Sequence, residues 1–452
     1  MSHPVQTFVS GPTSLGLSTE ALERAAEAGG IRFIVVGQAT VVVRLAHKQP
    51  FEVCFADPKA WGAPALKWCV DRRDVSLHLR QDGVWTEVAR FFRKTLGFAG
   101  QDYTPAGGLA GAPGGAVEIP DAEMGLDSDP SCTYWFSFDQ QHREVLYGKG
   151  ELRRSAALAT HGFSAAERTA TAWMRGVGSL TISPTAAVKH VEVWRDPVCV
   201  EPPLKVVSAD AITMEQVAMG THTVPANLSP ECRALHDNVA GRAFRLDDDK
   251  FPHFGDAIEE SIKTPTGWCY KKLREKAAKS GVPLERTYLR ITLGRAQGES
   301  PGVPFVMEIW PPNHYSPVHN HGGAHAVIRV LRGEITVKLY RMLSDHFTEW
   351  FMKARFAEGD ITWLTPGLNQ NHKLKNKGDK TCVTIQCYAY PRDSDEHYPY
   401  FDYLKGAGQP LGHFDPDSDM DFLEFKRLMH DEWLQRPAAA SDGPPAAGHR
   451  GE

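Results

Sequence analysis

Apolar and polar residues alternate in many short runs along the first 200 residues, a pattern typical of half-buried β-strands. Turn residues separate the runs, and the Gly- and Pro-rich segment 105–116 predicts a loop. Many short strands with turns between them predict an antiparallel β-sandwich over residues 1–200. The predicted strands lie within 31–46, 51–55, 76–79, 85–88, 134–139, 144–148 and 188–194.

The pattern changes to helical spacing after residue 253. Apolar residues recur at helical intervals from Asp256, and the run that ends at Ser280 is followed by Gly281, a natural helix C-cap. Alternation then returns in 334–340 and 356–364, with Gly333 at a turn. The chain therefore predicts a mainly β fold, with a second domain over 234–436 in which short helices precede the strands. Residues 201–233 are predicted to connect the domains, and the Ala-, Pro- and Gly-rich segment 437–452 is predicted to be disordered.

Three histidines of the second domain have the spacing of a metal site. His319 and His321 form an H-x-H pair, and His372 follows the turn residues Pro366 and Gly367. On a β-strand, residues i and i+2 point to the same face. If a returning strand brings His372 to the same point, three neutral imidazoles hold a metal and leave other positions open, which suits Fe(II), Zn or Cu. The H-x-H pair alone is weak, since 19 histidines produce such pairs by chance.

The segments around these histidines resemble the paired motifs of the cupins. After H-x-H come four residues, Ala326, six residues and Gly333, which is the cupin spacing, and Ala326 stands where the carboxylate ligand is usual. A set of three histidines without that carboxylate is similar to cysteine dioxygenase. The segment that precedes H-x-H, with Trp310 and His314, also resembles this family. The resemblance covers about 234–400 and implies a C-terminal cupin β-barrel.

The resemblance implies roles for further residues. In Tyr288-Leu-Arg290, Arg290 matches the arginine that holds the substrate carboxylate, and Tyr288 is expected to assist it. Tyr388 matches the active-site tyrosine. His325, Thr384 and Gln386 are expected to lie around the site without binding the metal. The implied activity is the conversion of L-cysteine and O2 to cysteine sulfinic acid at Fe(II), with His319, His321 and His372 as ligands.

Two positions depart from the family. Mammalian members have a cysteine at the position of Ala326, cross-linked to the active-site tyrosine, so Ala326 predicts an unmodified Tyr388. Cys387 neighbours Tyr388 on the same strand and is expected to face the other way. Gln386 stands in place of a histidine, and an amide can orient a phenol but does not titrate.

The segment from Tyr134 to Gly150 is similar to the jelly-roll domain first named after farnesoic acid methyltransferases. This resemblance implies a module that binds a carbohydrate or a protein. The alternative, a structural module that shields the second domain, is favoured.

Composition excludes some classes of function. The net charge is −5, and no basic run argues for nucleic-acid binding. No stretch approaches the 18 apolar residues of a membrane span. Residues 1–16 lack the basic start and apolar run of a secretory signal. The eight cysteines contain no C-x-x-C pair and predict free thiols in the cytoplasm.

Two alternative functions remain open. One is a dioxygenase for another small thiol, mercaptopropionate or cysteamine, although the mercaptopropionate enzymes usually lack the arginine at the position of Arg290. The other is a non-enzymatic cupin that binds a small ligand and signals through the N-terminal module.

Overall fold

The protein is mainly β-structure in antiparallel sheets, which confirms the predicted fold class. The computed structural model describes residues 5–8, 15–17, 31–35, 38–57, 63–91, 95–96, 101–103, 117–118, 124–127, 132–164, 171–198, 202–241, 244–294, 305–344, 350–390, 401–406, 409, 411–414 and 416–436. The predicted loop at 105–116 and the predicted tail at 437–452 lie outside these residues.

The N-terminal region consists of strands and short 3-10 turns. Its strands are β1 (Val5–Phe8), β2 (Leu15–Leu17), β3 (Ile31–Ile34), β4 (Ala39–Leu45), β5 (Phe51–Ala56), β6 (Ala65–Val70), β7 (Val75–Gln81), β8 (Val84–Phe91), β9 (Thr95–Leu96), β10 (Gln101–Tyr103), β11 (Val117–Glu118), β12 (Thr133–Asp139), β13 (Glu144–Lys149), β14 (Ala157–Gly162), β15 (Ser179–Ser183) and β16 (Val188–Trp194). The 3-10 turns are Arg154–Ala156, Ala172–Gly176 and Thr185–Ala187.

Two sheets share one core and form the sandwich. One sheet has the order β1-β3-β15-β5-β6-β7-β8, and the other has the order β14-β13-β12-β4-β16-β2. The alternating burial of β5 follows its sequence alternation. Aromatic rings fill the space between the sheets, as in the contact of Phe51 with Tyr134 at 5.4 Å between ring centroids.

The C-terminal region combines helices with a second group of sheets. The helices are α1 (Met214–Ala218), α2 (Pro230–Val239), α3 (Phe254–Lys263), α4 (Trp268–Ser280) and α5 (Phe422–Gln435), with 3-10 turns at Pro225–Asn227 and Leu284–Arg286. The strands are β17 (Lys205–Val206), β18 (His222–Thr223), β19 (Leu289–Gly294), β20 (Phe305–Trp310), β21 (His325–Arg332), β22 (Glu334–Leu339), β23 (Met352–Ala357), β24 (Ile361–Leu364), β25 (His372–Lys375), β26 (Cys382–Ala389), β27 (Phe401–Tyr403), β28 (Gly412–Phe414) and β29 (Met420–Asp421).

The larger C-terminal sheet has the order β18-β17-β24-β21-β26-β20-β19-β29. A smaller sheet has the order β10-β23-β22-β25. Helices α3, α4 and α5 pack on β19 and β20 through a shared apolar cluster. Helix α4 ends at Gly281 in the left-handed conformation (φ +62°), which confirms the predicted C-cap.

The boundary between the two regions is crossed by strand pairing. Strand β10 lies within the predicted sandwich domain but pairs in parallel with β23 of the smaller C-terminal sheet. The predicted connecting segment 201–233 contains β17, which pairs with β24, and β18, which extends the same sheet.

Two further expectations concern the cysteines and membrane-spanning helices. The seven cysteines in the described residues form no disulfide bond with one another. No helix in the described part of the chain has the length and apolar character needed to cross a membrane.

Candidate metal centre

The H-x-H pair lies in an extended segment just before β21. The expectation that this pair lies on a β-strand is wrong, since β21 begins only at His325. Backbone bonds still fix the segment: the N–H of His319 donates to the carbonyl of His372 at 3.0 Å, and the N–H of His372 donates back to His319 at 3.0 Å. Because the backbone is extended, His319 and His321 retain a common direction without belonging to a regular strand.

His319, His321 and His372 converge in the interior. All three are buried, and one ring nitrogen from each lies within 4.8 Å of the others. The Nε2 atoms of His321 and His372 are 3.1 Å apart. Two nitrogens bound to one metal at about 2.0–2.1 Å, with an angle between about 90° and 110°, would be roughly 2.8–3.4 Å apart. The cluster therefore has the dimensions of a metal site.

The opposite ring nitrogens of His372 and His319 support the same interpretation. Nδ1 of His372 lies 2.9 Å from the carbonyl oxygen of Asn369, and Nδ1 of His319 lies 3.1 Å from that of Pro317. A carbonyl oxygen can only accept a hydrogen bond, so the Nδ1 atom that faces it must carry the hydrogen. Both rings therefore present a lone pair at Nε2. Such a partner on the second nitrogen is the usual support of a metal-binding histidine. The three residues could hold a metal.

Burial keeps these imidazoles neutral. It lowers the pKa of His319 to about 3 and that of His372 to about 4, and it lowers the pKa of His321 well below its usual range. Neutral imidazole is the form that binds metals.

A cavity of about 60 Å³ opens beside the histidines. One water needs roughly 10–15 Å³ by this measure, so the space takes about four to six waters or a molecule of a few non-hydrogen atoms. The histidines, Glu308 and Gln386 supply polar groups in its wall, and most of the other lining side chains are apolar. Its dimensions suit a small metabolite.

Arg290 lies on β19, close to the histidines. The residue is 3% exposed, and its Nη1 has no hydrogen-bond partner among the described residues. Its guanidinium lies 5.8 Å from the ring centroid of Tyr388, which stacks on His321 at 5.5 Å. An unpaired buried cation is costly unless an anion satisfies it. Arg290 is therefore prepared for an anionic ligand.

Tyr388 and Gln386 are joined on one face of β26. The Tyr388 hydroxyl donates to Oε1 of Gln386 at 2.7 Å, and burial raises the pKa of Tyr388 well above its usual range, so the phenol stays protonated. Ala326 is the direct partner of Tyr388 across strands β21 and β26. A cysteine at position 326 would thus stand within reach of the ring, whereas the methyl group of Ala326 offers no sulfur.

Glu308 is a site residue that the sequence reasoning missed. It faces Arg290 in the strand register and lines the cavity. Burial raises the pKa of Glu308, and the charge of Arg290 opposes that rise. The Gln386 side chain also favours the charged form of Glu308. The available signal was a single carboxylate in the otherwise apolar run of β20.

The remaining predicted site residues divide into two groups. Tyr288 and Thr384 line the cavity, and the Tyr288 ring stacks on Trp310 at 4.1 Å between centroids. His325 does not join them, because its Nδ1 faces the Cys232 thiol of α2 at 3.9 Å. His314 is likewise turned away, with Nδ1 2.6 Å from the carbonyl oxygen of Thr287.

No protein-family model matches the chain. Solved structures with local similarity include the Cupin_2 domain of an XRE family transcriptional regulator from Enterobacter cloacae, with 15% identity over 23% of this chain and 98% of that chain, and a TM-score of 0.19. An oxalate oxidase in complex with the substrate analogue glycolate has 16% identity over 25% of this chain and 55% of that chain, with a TM-score of 0.20. A sugar phosphate isomerase from a cupin superfamily of Silicibacter pomeroyi has 12% identity over 25% of this chain and 66% of that chain, with a TM-score of 0.17.

Proposed function

We propose that the protein is a non-haem iron thiol dioxygenase that converts L-cysteine and O2 to cysteine sulfinic acid. One observation carries the proposal: a buried cluster of His319, His321 and His372 lies close to Arg290, whose buried guanidinium has an unpartnered nitrogen. The absence of a carboxylate from this cluster, among the described residues, agrees with the resemblance of the H-x-H segment to cysteine dioxygenase.

Substrate recognition would rest on two opposite charges. Arg290 offers a planar, permanently charged donor to the substrate carboxylate. Glu308 lies across from it in the strand register and provides an acceptor for the substrate amine. Tyr288 lines the same cavity beside Trp310 and limits the space for the substrate. A carboxyl group in the cavity wall and a guanidinium behind Tyr388 would suit a small amino acid.

The reaction is balanced by the thiol and O2 alone. Both oxygen atoms enter the product, the sulfur loses four electrons, and O2 takes them up, so no external reductant is needed. Fe(II) held by the three imidazoles would supply Lewis acidity toward the thiol and redox chemistry toward O2. Tyr388, whose phenol stays protonated, would turn its hydroxyl from Gln386 to donate a hydrogen bond to the reacting group.

Incubation with a panel of thiols tests the proposal. The full-length protein is loaded with Fe(II) under nitrogen, then exposed to air with cysteine, mercaptopropionate or cysteamine. Mass spectrometry follows the gain of two oxygen atoms, and an electrode follows O2. We expect one O2 per cysteine sulfinic acid formed, with little turnover of the thiols that lack the amine or the carboxylate. His253→Ala, which replaces an exposed histidine, is the control for His321→Ala.

Other outcomes would assign the alternatives. Preference for mercaptopropionate or cysteamine would indicate a different thiol dioxygenase. Iron binding without O2 uptake for any thiol would refute the dioxygenase and favour a ligand-binding protein that signals through its N-terminal region. The proposed location in the cytoplasm fits the lack of a disulfide bond among the seven cysteines that the structure describes.

A further inference from the structure

The sandwich contacts the C-terminal region through the segment that follows β13. Gly150 has φ +71°, and a Cβ at this position would lie 2.0 Å from the carbonyl oxygen of Arg341, so only glycine allows this approach. The next N–H, that of Glu151, donates to the same carbonyl at 3.0 Å. Arg341 Nε donates to the carbonyl of Ala156 at 3.3 Å. The two regions are thus in close backbone contact here.

Two charged side chains of this segment reach Asn369 beside the metal centre. Arg153 is fully buried and donates from Nη1 to Oδ1 of Asn369 at 2.8 Å, while its Nη2 donates to the carbonyl of Pro202 at 2.8 Å. The Glu151 carboxylate accepts the backbone N–H of Asn369. The sequence separation of Arg153 and Asn369 is 216 residues. Both contacts come from the sandwich and hold one residue of the C-terminal region.

Asn369 uses its two other polar groups within the C-terminal region. Its Nδ2 donates to the carbonyl of Trp363 at 2.8 Å, and its own carbonyl accepts from Nδ1 of His372 at 2.9 Å. The residue has φ +62°, a left-handed conformation that asparagine adopts more readily than most residues. All four polar groups of Asn369 are therefore engaged, and one of them orients the imidazole of His372.

We infer that Glu151 and Arg153 are positioning residues of the metal centre, and that the sandwich acts on His372 through Asn369. With Asn369 held from both sides, its carbonyl points at Nδ1 of His372 and leaves Nε2 as the lone pair that faces the other histidines. The N-terminal region is then part of the metal site and not an independent module. The inference rests on the proposed metal binding, but not on the thiol chemistry.

Loss of the Arg153 contact frees the Asn369 side chain and allows its peptide unit to rotate away from His372. Removal of a partner that orients a metal-binding histidine typically lowers metal affinity about 10–100-fold. We expect Arg153→Met to lower affinity within that range. Arg153→Lys retains one donor toward Asn369 and should recover much of the loss.

The test measures Co(II) binding by the full-length protein. Affinity is obtained by competition with a chelator, and the visible spectrum of bound Co(II) reports its coordination. Thermal unfolding without metal is recorded for every variant, which separates folding from binding. Arg154→Ala is the matched control, because Arg154 lies in the same turn, is exposed and pairs with Glu144 of the sandwich. It should bind Co(II) like the wild-type protein.

Asn369→Gly provides a test that keeps the buried charge of Arg153 in place. Glycine keeps the left-handed backbone but lacks the side chain that Arg153 holds. If Arg153 and Asn369 act through one contact, the double variant Arg153→Met/Asn369→Gly should lose no more affinity than the single variant with the larger loss. Wild-type affinity and spectrum in a folded Asn369→Gly protein would refute the inference, as would losses that multiply in the double variant. Failure of the wild-type protein to bind Co(II) or Fe(II) would refute the metal proposal itself.

Discussion

The sandwich and the C-terminal sheets both bury a cation, but they treat it differently. In the sandwich, the Lys149 ammonium and the Asp127 carboxylate are almost fully buried and lie 3.3 Å apart. In the C-terminal sheets, Arg290 is also buried, but its Nη1 lacks a hydrogen-bond partner among the described residues. A buried charge is tolerated when it is paired, and it favours a ligand when it is not.

The two interiors differ in the same way. Aromatic rings close the sandwich core, as in the contact of Phe51 with Phe136 at 5.9 Å. The C-terminal sheets instead leave a cavity whose wall carries imidazoles, a carboxyl group and an amide. Similar antiparallel architecture thus gives a filled core in one region and a candidate binding site in the other. The comparison teaches that strand pattern sets the architecture, whereas the buried polar groups locate the chemistry.

The largest expected effect is the loss of metal from His321→Ala. This change removes one of three nitrogens and leaves the sandwich core intact. We expect iron content to fall from one per chain to near zero and turnover to disappear, while the variant unfolds like the metal-free wild-type protein. Elemental analysis and tryptophan fluorescence measure the two properties. Full iron occupancy in this variant would contradict the assignment of the ligands.

Methionine substitutions of the two buried cations test the comparison directly. Lys149→Met leaves the Asp127 carboxylate buried without its partner and should lower the free energy of unfolding by about 3–5 kcal/mol, with little change in turnover of the remaining folded protein. Denaturant unfolding measures this loss.

Arg290→Met should affect turnover more than stability, the opposite of what is expected for Lys149→Met. The free energy of unfolding should fall less than in Lys149→Met, because Nη1 of Arg290 has no hydrogen-bond partner among the described residues and only the nearby charge on Glu308 is left uncompensated. For cysteine, kcat/KM should fall by about 2–4 kcal/mol of transition-state binding. Cysteamine, which lacks the carboxylate, should be nearly unaffected, so equal losses for both thiols would indicate a structural role for Arg290.

Tyr388→Phe should have a moderate effect. The variant loses the hydroxyl that Gln386 orients but retains the ring stacked on His321. We expect iron to stay bound while turnover slows or O2 consumption exceeds product. Intact mass of the wild-type protein should equal the sequence mass, because Ala326 supplies no sulfur for a cross-link. Wild-type rate and coupling in Tyr388→Phe would assign the phenol to packing.

The smallest effect concerns stability and pH. Burial raises the pKa of Glu308, so this carboxyl group binds its proton more tightly in the folded state than in the unfolded chain. The stability associated with this group is complete below the pKa of the unfolded chain and is lost as pH rises through the folded pKa. Glu308→Gln should therefore be more stable than the wild-type protein at neutral pH without metal, and the difference should vanish near pH 4. Denaturant midpoints at the two pH values measure this, and a difference independent of pH would contradict it.

Much of the architecture follows from local patterns. Alternation of period two identified the strand regions around β4, β5, β12 and β22, and helical spacing with Gly281 identified α3 and α4. The candidate metal residues were also found from sequence, because H-x-H and the distant His372 are short motifs. Their convergence was expected, and in the structure two reciprocal backbone hydrogen bonds between His319 and His372 bring these segments together.

Other features depend on contacts between distant segments. The pairing of β10 with β23 has no signal in either strand, since an alternating pattern specifies a buried face but not a neighbour. The carboxyl group of Glu308 is visible in the sequence, but only strand register places it opposite Arg290.

What the sequence determined by itself is the set of elements and the chemical types available to the site, because periodicity and short motifs are local properties. Only the tertiary structure decided that Arg153 of the sandwich holds Asn369 beside His372. The physical reason is that a hydrogen bond between residues 216 positions apart depends on how two folded regions pack, and neither local sequence encodes the other.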